Sequence, residues 1–417
     1  MSYASSGLYI YKGYLLDNVF KFYVLACFYT PFLSSIIPIP GVNILDDAVF
    51  FLMLGVCLLQ FKHRIVEFDL ILLCIPALIV FSILIAYFEG VSITVIILSL
   101  KNIKNLFLFI VLACLLQNHM DFVKRHILIL LVASVPLALF QFFTVSHQDD
   151  ITGLFGPKSS SLYSFLLIAY VTTFIVEKGF YSVGWRWLLF IPVFLNETKI
   201  TFVLFPLMLV ALLIFTMRIK VYHVILVLLL SVIVSSALDE VYYSLYGYPF
   251  SDVFDSAYLD SYLFDYTEMH KDVPRFFRLH VAYEILSSSD FFNWMFGYGL
   301  GAEYVGDGGD RLGVIAYELR NTLLNQGTRI QLFQFLLDFG VVGTVFLVTV
   351  LLIMLFRIML KECNYENLFS LSILMLMVFS LVYQNMFFTK QLSFVLFFFV
   401  YSSLMKVRHK RNLRSLN

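Results

Sequence analysis

The segment QLFQFLLDFGVVGTVFLVTVLLIMLF, residues Gln331–Phe356, decides the class of fold. It is 26 residues long and contains one charged side chain, that of Asp338. An α-helix crosses the hydrocarbon core of a bilayer in about 20 residues, so this segment predicts a membrane-spanning helix. The whole chain of 417 residues has the same character, because 61% of it is hydrophobic and only 13% is charged. Soluble domains carry roughly 25% charged residues, so the sequence predicts a polytopic membrane protein.

Eleven further apolar runs lie along the chain. They fall near residues 20–37, 47–61, 69–88, 104–118, 126–145, 161–177, 185–196, 200–216, 221–238, 368–384 and 390–405. Together with the first segment they predict an all-α fold with about twelve transmembrane helices. An extra apolar stretch at 91–100 is too short to cross a bilayer. We interpret it as re-entrant or as lying in the membrane interface.

The basic residues test this topology, because cytoplasmic loops of membrane proteins collect positive charge. With both termini placed inside, 17 Lys and Arg residues fall on the cytoplasmic side. The short outer connections hold only Lys101, Lys104, Lys158, Lys199 and Lys390. We therefore predict three parts: nine spans over 1–238, a large periplasmic loop with short helices over 239–330, and three spans with a basic cytoplasmic tail over 331–417.

The outer loop of residues 239–330 differs in chemistry from the rest of the chain. It holds 14 of the 28 acidic residues, 11 of the 25 tyrosines and six basic residues. Aromatic faces and carboxylates suit a polyhydroxylated ligand, because they cover C–H surfaces and accept hydrogen bonds from hydroxyls. The alternative is that any outer loop of this size is polar and uses aromatic residues to pack itself. The sequence has no Cys or His spacing typical of a metal site and no basic face for nucleic acid.

Three features of this region provide candidate residues. A helical pattern carries Arg275 and Arg278 three residues apart, which places them on one helix face. Next comes FGYGLG (Phe296–Gly301), a glycine-alternating turn whose backbone can approach another group closely. A final helix begins near Arg329 and runs through Asp338 into the tenth span. Arg329 is therefore expected at the outer membrane interface.

Three segments resemble the superfamily of O-antigen polymerases and ligases, which includes exopolysaccharide polymerases. FFNWMFGYGLGAE (Phe291–Glu303), preceded by the helix that bears Arg278, resembles the family's segment at its GxGxG turn. TRIQLFQFLLDFGVVG (Thr328–Gly343) resembles the last outer helix, which leads into a span with a GxxG pattern. LNETKITFVLF (Leu195–Phe205) resembles the SGSRTA entry into a span, with Lys199 at the arginine position.

The resemblance implies a membrane-embedded helical glycosyltransferase of the GT-C type in the bacterial inner membrane, with its active site facing the periplasm. Its substrate would be an oligosaccharide linked to undecaprenyl diphosphate, and it would use no metal or other cofactor. Basic residues of the family offset the charge of the departing diphosphate, because guanidinium groups pair with phosphate and stay protonated. Arg278, Arg329 and Lys199 match these positions, and Arg275 is an unaligned neighbour. The competing interpretation for such interfacial residues is snorkelling to lipid headgroups.

One position departs from the family pattern. O-antigen ligases carry a histidine where this chain has Arg329, and Ile330 follows here in place of asparagine, which disfavours a ligase. The general base is unassigned, and the candidates by location are His280, His270, Glu284, Glu303 and Asp338. His280 stands two residues from Arg278 and is expected to point off that helix face. Tyr298, in the glycine-alternating turn, is the candidate for contact with substrate.

The residues and the resemblance together predict a polymerase of O-antigen or a related surface polysaccharide. It would move the growing glycan from undecaprenyl diphosphate to the non-reducing end of an incoming lipid-linked repeat unit. Expected partners are membrane lipid, a chain-length regulator and a flippase. The first alternative is an O-antigen ligase, which uses a different acceptor. The second is a non-enzymatic transporter of polysaccharide or lipid, disfavoured because no charge is expected deep in a confident span and no repeat is evident.

Overall fold

All regular secondary structure in the described part of the chain is helical. The computed structural model describes residues 2–36, 44–61, 70–115, 118–145, 151–156, 160–196, 200–216, 238–244, 249–256, 275–302, 330–383 and 389–405, and the single positions 198, 225, 236, 247, 260, 304 and 315. Most of these residues form α-helices or short 3-10 helices, the others lie in turns and connections, and no β-strand occurs among them. The predicted all-α class is therefore confirmed for this part of the chain.

Most helices of the first half overlap the apolar runs, although the first helix begins well ahead of its run. They are α1 (Ser2–Ile36), α2 (Leu45–Phe61), α3 (Leu70–Phe88), α4 (Ile93–Asn102), α5 (Leu108–Cys114), α6 (Met120–Thr144), α7 (Ser160–Lys178), α8 (Ile191–Leu195) and α9 (Ile200–Phe215). A 3-10 turn, Lys104–Phe107, joins α4 to α5. Another, Gly184–Phe190, leads into α8, so the short run at 185–196 is only partly α-helical. Most of the run predicted at 221–238 lies outside the described residues.

The described part of the second half includes two short α-helices of the predicted loop and three longer ones. They are α10 (Arg275–Ser288), α11 (Phe291–Phe296), α12 (Gln331–Met359), α13 (Tyr365–Tyr383) and α14 (Lys390–Leu404). The helical pattern predicted around Arg278 is thus confirmed as α10. The side chain of Asp290 caps α11 by accepting a hydrogen bond from the Asn293 amide at 2.7 Å, which explains where that helix begins.

Five of the described helices are long and apolar enough to cross a membrane: α3, α6, α7, α12 and α13. The α4 helix and the segment Lys104–Cys114 pass the same test together, although they are bent by 68°. This pair is a broken span or a re-entrant loop, and its first arm is the stretch at 91–100 that we interpreted as re-entrant or interfacial. These helices fit a helical membrane protein. The total of twelve spans stays a prediction.

A second, smaller core connects the loop helix α10 to the membrane helices. Apart from the large core of the bundle, a separate cluster includes Ala86 of α3, Val95 of α4, Ala282 and Leu286 of α10, and Leu337 of α12. Burial of these apolar side chains provides the free energy that holds α10 in place. The residues that α10 carries therefore have fixed positions relative to α3, α4 and α12.

Candidate functional site

Arg278 lies on the buried face of α10. Ala282 and Leu286 follow it at four-residue spacing and belong to the smaller core, so the three side chains share one face. Only 2% of Arg278 is exposed. A snorkelling arginine keeps its guanidinium at the headgroups, so that interpretation is excluded for Arg278.

The opposite face of α10 is exposed and carries two of the candidate bases. His280 Nε2 lies 3.2 Å from Glu284 Oε1, and well over half of each side chain is exposed. His280 therefore points off the face of Arg278, as the two-residue spacing predicts. Both groups interact with each other on the surface of the helix and not with the buried arginine.

The glycine-alternating turn packs directly against three membrane helices. Its glycines have φ angles of 77°, 86° and 88°, in the left-handed region: Gly297, Gly299 and Gly301. A Cβ atom added to Gly301 would lie 2.6 Å from Ser99 Oγ of α4. One added to Gly299 would overlap the backbone of Ala86 in α3, and one added to Gly297 would overlap the backbone at Gly340 in α12. The close approach predicted from the glycine spacing is thus an approach to neighbouring helices.

Asp338 of α12 holds this turn in place. Its Oδ1 accepts a hydrogen bond from the Gly301 amide at 3.2 Å, and its backbone carbonyl accepts one from Ser82 Oγ at 3.0 Å. The Leu300 amide donates to the Ser82 carbonyl at 3.3 Å. Asp338 is completely buried. The Asp338 residue therefore positions the turn, and its carboxylate is also a candidate general base.

The helix α12 is interrupted two residues after Asp338. Gly340 has φ 65° and ψ −171°, which separates the first nine residues from the long membrane arm. The short arm carries a stripe of polar side chains at helical spacing, Gln331, Gln334 and Asp338, and all three are buried. Buried amides and carboxylates are costly without hydrogen-bond partners, so this stripe marks a polar interior on the side of the protein where α10 packs.

The remaining predicted residues are only partly described. Tyr298 is half-buried, packs against the smaller core and donates its amide hydrogen to the Leu337 carbonyl at 2.9 Å. The backbone of Arg275 forms the first position of α10, but its side chain lies outside the described residues. Also outside the described residues are Lys199, His270, Glu303 and Arg329. Convergence of Arg278, Arg329 and Lys199 on one cavity therefore stays a prediction.

A buried cluster of charges, absent from the candidates above, lies where α2, α14 and the α4–α5 bend meet. We call it the Lys104 cluster, and its members are Asp46, Asp47, Lys101, Lys104 and Lys390. Lys104 Nζ contacts a carboxylate oxygen of both aspartates, and its side chain is completely buried. Lys390 Nζ lies 3.0 Å from Asp46 Oδ1 and 3.5 Å from Asp47 Oδ2. Lys101 Nζ lies 2.9 Å from Asp47 Oδ2.

Neutral polar groups extend the Lys104 cluster across the bundle. Tyr23 of α1 donates its hydroxyl hydrogen to Asn105 Oδ1 and places its ring 5.7 Å from Lys104 Nζ. The Asn105 amide nitrogen donates to the Lys390 carbonyl at 3.0 Å and to Ser393 Oγ at 2.8 Å. These bonds connect α1, the α4–α5 bend and α14 through side chains whose polar atoms are buried.

The positions of these charges along the sequence do not suggest a cluster, because none lies in the middle of a predicted span. All five residues stand at helix ends, yet Asp46 and Lys104 are 0% exposed. The 68° bend brings the end of α4 and the 3-10 turn that begins at Lys104 against the first turn of α2. The signal in the sequence was the pair Asp46 and Asp47, two adjacent acids at the start of an apolar run. Lys101, Lys104 and Lys390 lie at the ends of other runs, on the same predicted side of the membrane.

No group of three or more His, Cys, Asp or Glu side chains that could hold a metal ion occurs among the residues that the structure describes. No protein-family model matches the sequence, and no curated protein matches it. The two buried polar regions, around Arg278 and around Lys104, are therefore interpreted from their own chemistry.

Proposed function

We propose that this protein is a polymerase of lipid-linked oligosaccharide repeat units in the bacterial inner membrane. Its termini are cytoplasmic and its active site faces the periplasm. The hydroxyl of the incoming repeat unit attacks the anomeric carbon of the growing glycan, and the bond from that carbon to the undecaprenyl diphosphate oxygen breaks. The hydroxyl proton goes to a base that is not assigned. Arg278 stabilises the negative charge that develops on the departing diphosphate.

The burial of Arg278 is the observation that carries this proposal. A guanidinium carries a full positive charge, and removing it from water is costly unless charged or polar groups replace the hydration. Arg278 is 2% exposed and occupies a face that also packs apolar residues. A cation fixed in this way is organised before the reaction, which is the arrangement that stabilises a developing charge best.

The surroundings of Arg278 support the same interpretation. Its helix belongs to the loop of residues 239–330, which the distribution of basic residues predicts to be periplasmic. It packs on α12, whose short arm carries the buried stripe of Gln331, Gln334 and Asp338. Amide and carboxylate groups are those that bind sugar hydroxyls. A phosphate-binding cation on one helix and hydroxyl-binding groups on the helix that it packs against suit a lipid-linked sugar.

The test compares Arg278 with an exposed arginine. The full-length protein in lipid vesicles is incubated with lipid-linked repeat units, and the products are separated by length. Arg278→Gln is expected to lower the elongation rate by about 10²-fold or more, since one positioned donor contributes about that much, and Arg278→Lys is expected to retain part of it. Arg125→Gln is the matched control, because Arg125 is exposed on α6. Normal elongation by both Arg278 variants would contradict the assignment.

The acceptor distinguishes a polymerase from an O-antigen ligase. In cells that lack this chain, loss of a polymerase leaves surface glycan with a single repeat unit, and the wild-type gene restores the longer products. Loss of a ligase removes the glycan from the lipid core altogether, including the single-repeat form. A chain-length regulator and a flippase are the proposed partners, and they act respectively on product length and on supply of the repeat unit.

A non-enzymatic transporter is the second candidate, and the Lys104 cluster favours it. Transporters often build their sites where a membrane helix is broken, and they keep charged groups there. Lys104 stands directly after the 68° bend, and it is completely buried. The vesicle experiment separates the two candidates. Elongated glycan identifies an enzyme, whereas movement of unchanged lipid-linked oligosaccharide across the bilayer identifies a transporter.

A further inference from the structure

The short helix α11 lies beside α3, a helix long and apolar enough to cross the membrane. The Phe296 ring at the end of α11 lies 5.5 Å from the Phe81 ring of α3, measured between centroids. Directly after α11, the Leu300 amide donates to the Ser82 carbonyl at 3.3 Å. Phe81 stands about two helical turns, and thus about 10 Å, before the end of α3 at Phe88. The helix α11 and the turn after it therefore reach into the depth that α3 spans.

The exposed surface of α3 continues onto α11. Along α3, exposed apolar side chains recur at helical spacing and form a stripe, which consists of Leu73, Ala77, Val80, Phe81 and Leu84. In a membrane span, an exposed apolar stripe faces the acyl chains of the lipid. Phe81 belongs to this lipid-facing stripe and contacts the Phe296 ring, which in turn lies 5.2 Å from the Phe292 ring. Phe292 is itself 49% exposed, so two ring contacts connect the stripe to the outer surface of α11.

The helix α11 exposes aromatic side chains although it belongs to a loop rich in charge. Its sequence FFNWMF has no charged residue, whereas the loop of residues 239–330 holds 14 acidic and six basic residues. Phe291 is 75% exposed and Trp294 is 37% exposed, and their rings stack with centroids 6.4 Å apart. A contiguous apolar patch is rarely exposed to water without a partner, and tryptophan is enriched where a membrane meets water. These properties favour contact of α11 with lipid.

The backbone around α11 has the hydrogen bonds that a place in the membrane requires. Non-helical backbone is tolerated at membrane depth only where protein buries it. Three amides of the glycine-alternating turn donate to acceptors on α3 or α12: Tyr298 to the Leu337 carbonyl, Leu300 to the Ser82 carbonyl and Gly301 to Asp338 Oδ1. At the start of α11, the Asp290 side chain accepts from the Asn293 amide. The turn can therefore lie at the depth of α3 without leaving these donors unpaired in lipid.

We propose that α11 is embedded in the lipid bilayer, where Phe291, Phe292 and Trp294 contact acyl chains of the leaflet at the Phe88 end of α3. This leaflet is the outer one in the predicted topology. The partner is the bilayer because the exposed surface of α11 is uncharged and joins the lipid-facing stripe of α3. The predicted loop of residues 239–330 is then not wholly periplasmic, since α11 enters the membrane while the charged, exposed face of α10 stays in water. The inference is independent of the polymerase assignment, because none of these contacts includes Arg278.

The test measures the surroundings of a single tryptophan. The full-length protein is reconstituted into vesicles of phospholipid with brominated acyl chains, which quench tryptophan in the hydrocarbon, and iodide on both sides of the membrane is the quencher in water. The double variant Trp185→Phe/Trp187→Phe leaves Trp294 as the only tryptophan. The matched control carries Tyr283→Trp with all three tryptophans replaced by Phe, because Tyr283 is 63% exposed on α10 of the same loop. Trp294 is expected to lose most of its emission to brominated lipid and little to iodide, and the control is expected to show the reverse.

The ranking of the two positions decides the outcome. Stronger quenching of Trp294 by lipid and weaker quenching by iodide, relative to the α10 position, supports the inference. An equal or reversed ranking overturns it, and so does protection of Trp294 from both quenchers, since a second copy of the chain or another protein would then cover α11. The chain without substitutions is tested with a phospholipid that carries a photoreactive diazirine in its acyl chain. After illumination, label is expected on Phe291–Phe296, and label on α3 without label on this segment overturns the inference.

Discussion

Replacing Gly299 by alanine tests whether the glycine-alternating turn lies against α3. Two costs are expected. A φ angle of 86° places the residue in the left-handed region, which costs a residue with a Cβ about 1–2 kcal/mol. The added Cβ also overlaps the backbone of Ala86, which cannot move without shifting α3. Overpacking of this kind costs roughly 1–3 kcal/mol, so Gly299→Ala is expected to lower the free energy of unfolding by about 2–5 kcal/mol.

Two other glycines separate these costs. Gly90 has φ 81° and no atom within 4 Å of an added Cβ, so Gly90→Ala carries the backbone cost alone, about 1–2 kcal/mol. Gly55 lies inside α2 with the same open space and no positive φ. Alanine has the higher helix propensity, so Gly55→Ala is expected to stabilise the protein by about 0.5–1 kcal/mol.

The assay is unfolding of the full-length protein in detergent, followed by tryptophan fluorescence. Trp294 of α11, one of three tryptophans, is 37% exposed and lies just before the turn, so its contribution to the signal changes when docking is lost. The expected order of stability is Gly55→Ala, wild type, Gly90→Ala and Gly299→Ala. Equal destabilisation by Gly90→Ala and Gly299→Ala would refute the close contact, because it would leave no steric cost at Ala86.

Two further predictions concern the buried charges. Lys104→Met is expected to lower the free energy of unfolding by about 3–5 kcal/mol, because it removes the central partner of two buried aspartates. The double variant that also carries Asp46→Asn is expected to recover part of that loss. A double-mutant cycle measures the coupling, and additive effects would contradict the contact. Asp338→Asn keeps an oxygen to accept the Gly301 amide and is expected to retain the fold, whereas Asp338→Leu is expected to lose about 1–3 kcal/mol. Unfolding titrations check stability, and loss of elongation in the folded asparagine variant would identify Asp338 as the base.

The helices were largely predictable from the chain itself. Apolar runs at 69–88, 126–145 and 161–177 correspond to α3, α6 and α7 within a few residues, because a lipid environment requires each span to satisfy its own backbone hydrogen bonds. The position of His280 off the face of Arg278 also followed from helical spacing. The beginning of α1 was not predictable in this way, because the helix extends far ahead of the apolar run that predicted it.

The sites were less predictable. Glycine alternation indicated that the turn approaches something, but sequence alone did not identify Ala86, Ser99 and Gly340 as its neighbours. The Lys104 cluster was missed, because its partners are separated by up to 344 residues along the chain. Charges at the ends of apolar runs are ordinarily solvated, and their burial depends on how those ends meet.

The sequence by itself determined the helical membrane class, the positions of most helices and the helix face that Arg278 occupies. These properties depend on composition and on the 3.6-residue period, which are local. Only the tertiary structure decided that Arg278 is buried, that Asp338 holds the glycine-alternating turn, and that five charges converge at Lys104. Each of these depends on contacts between distant segments, and on the bend at Ile103 that turns α4 away from α5.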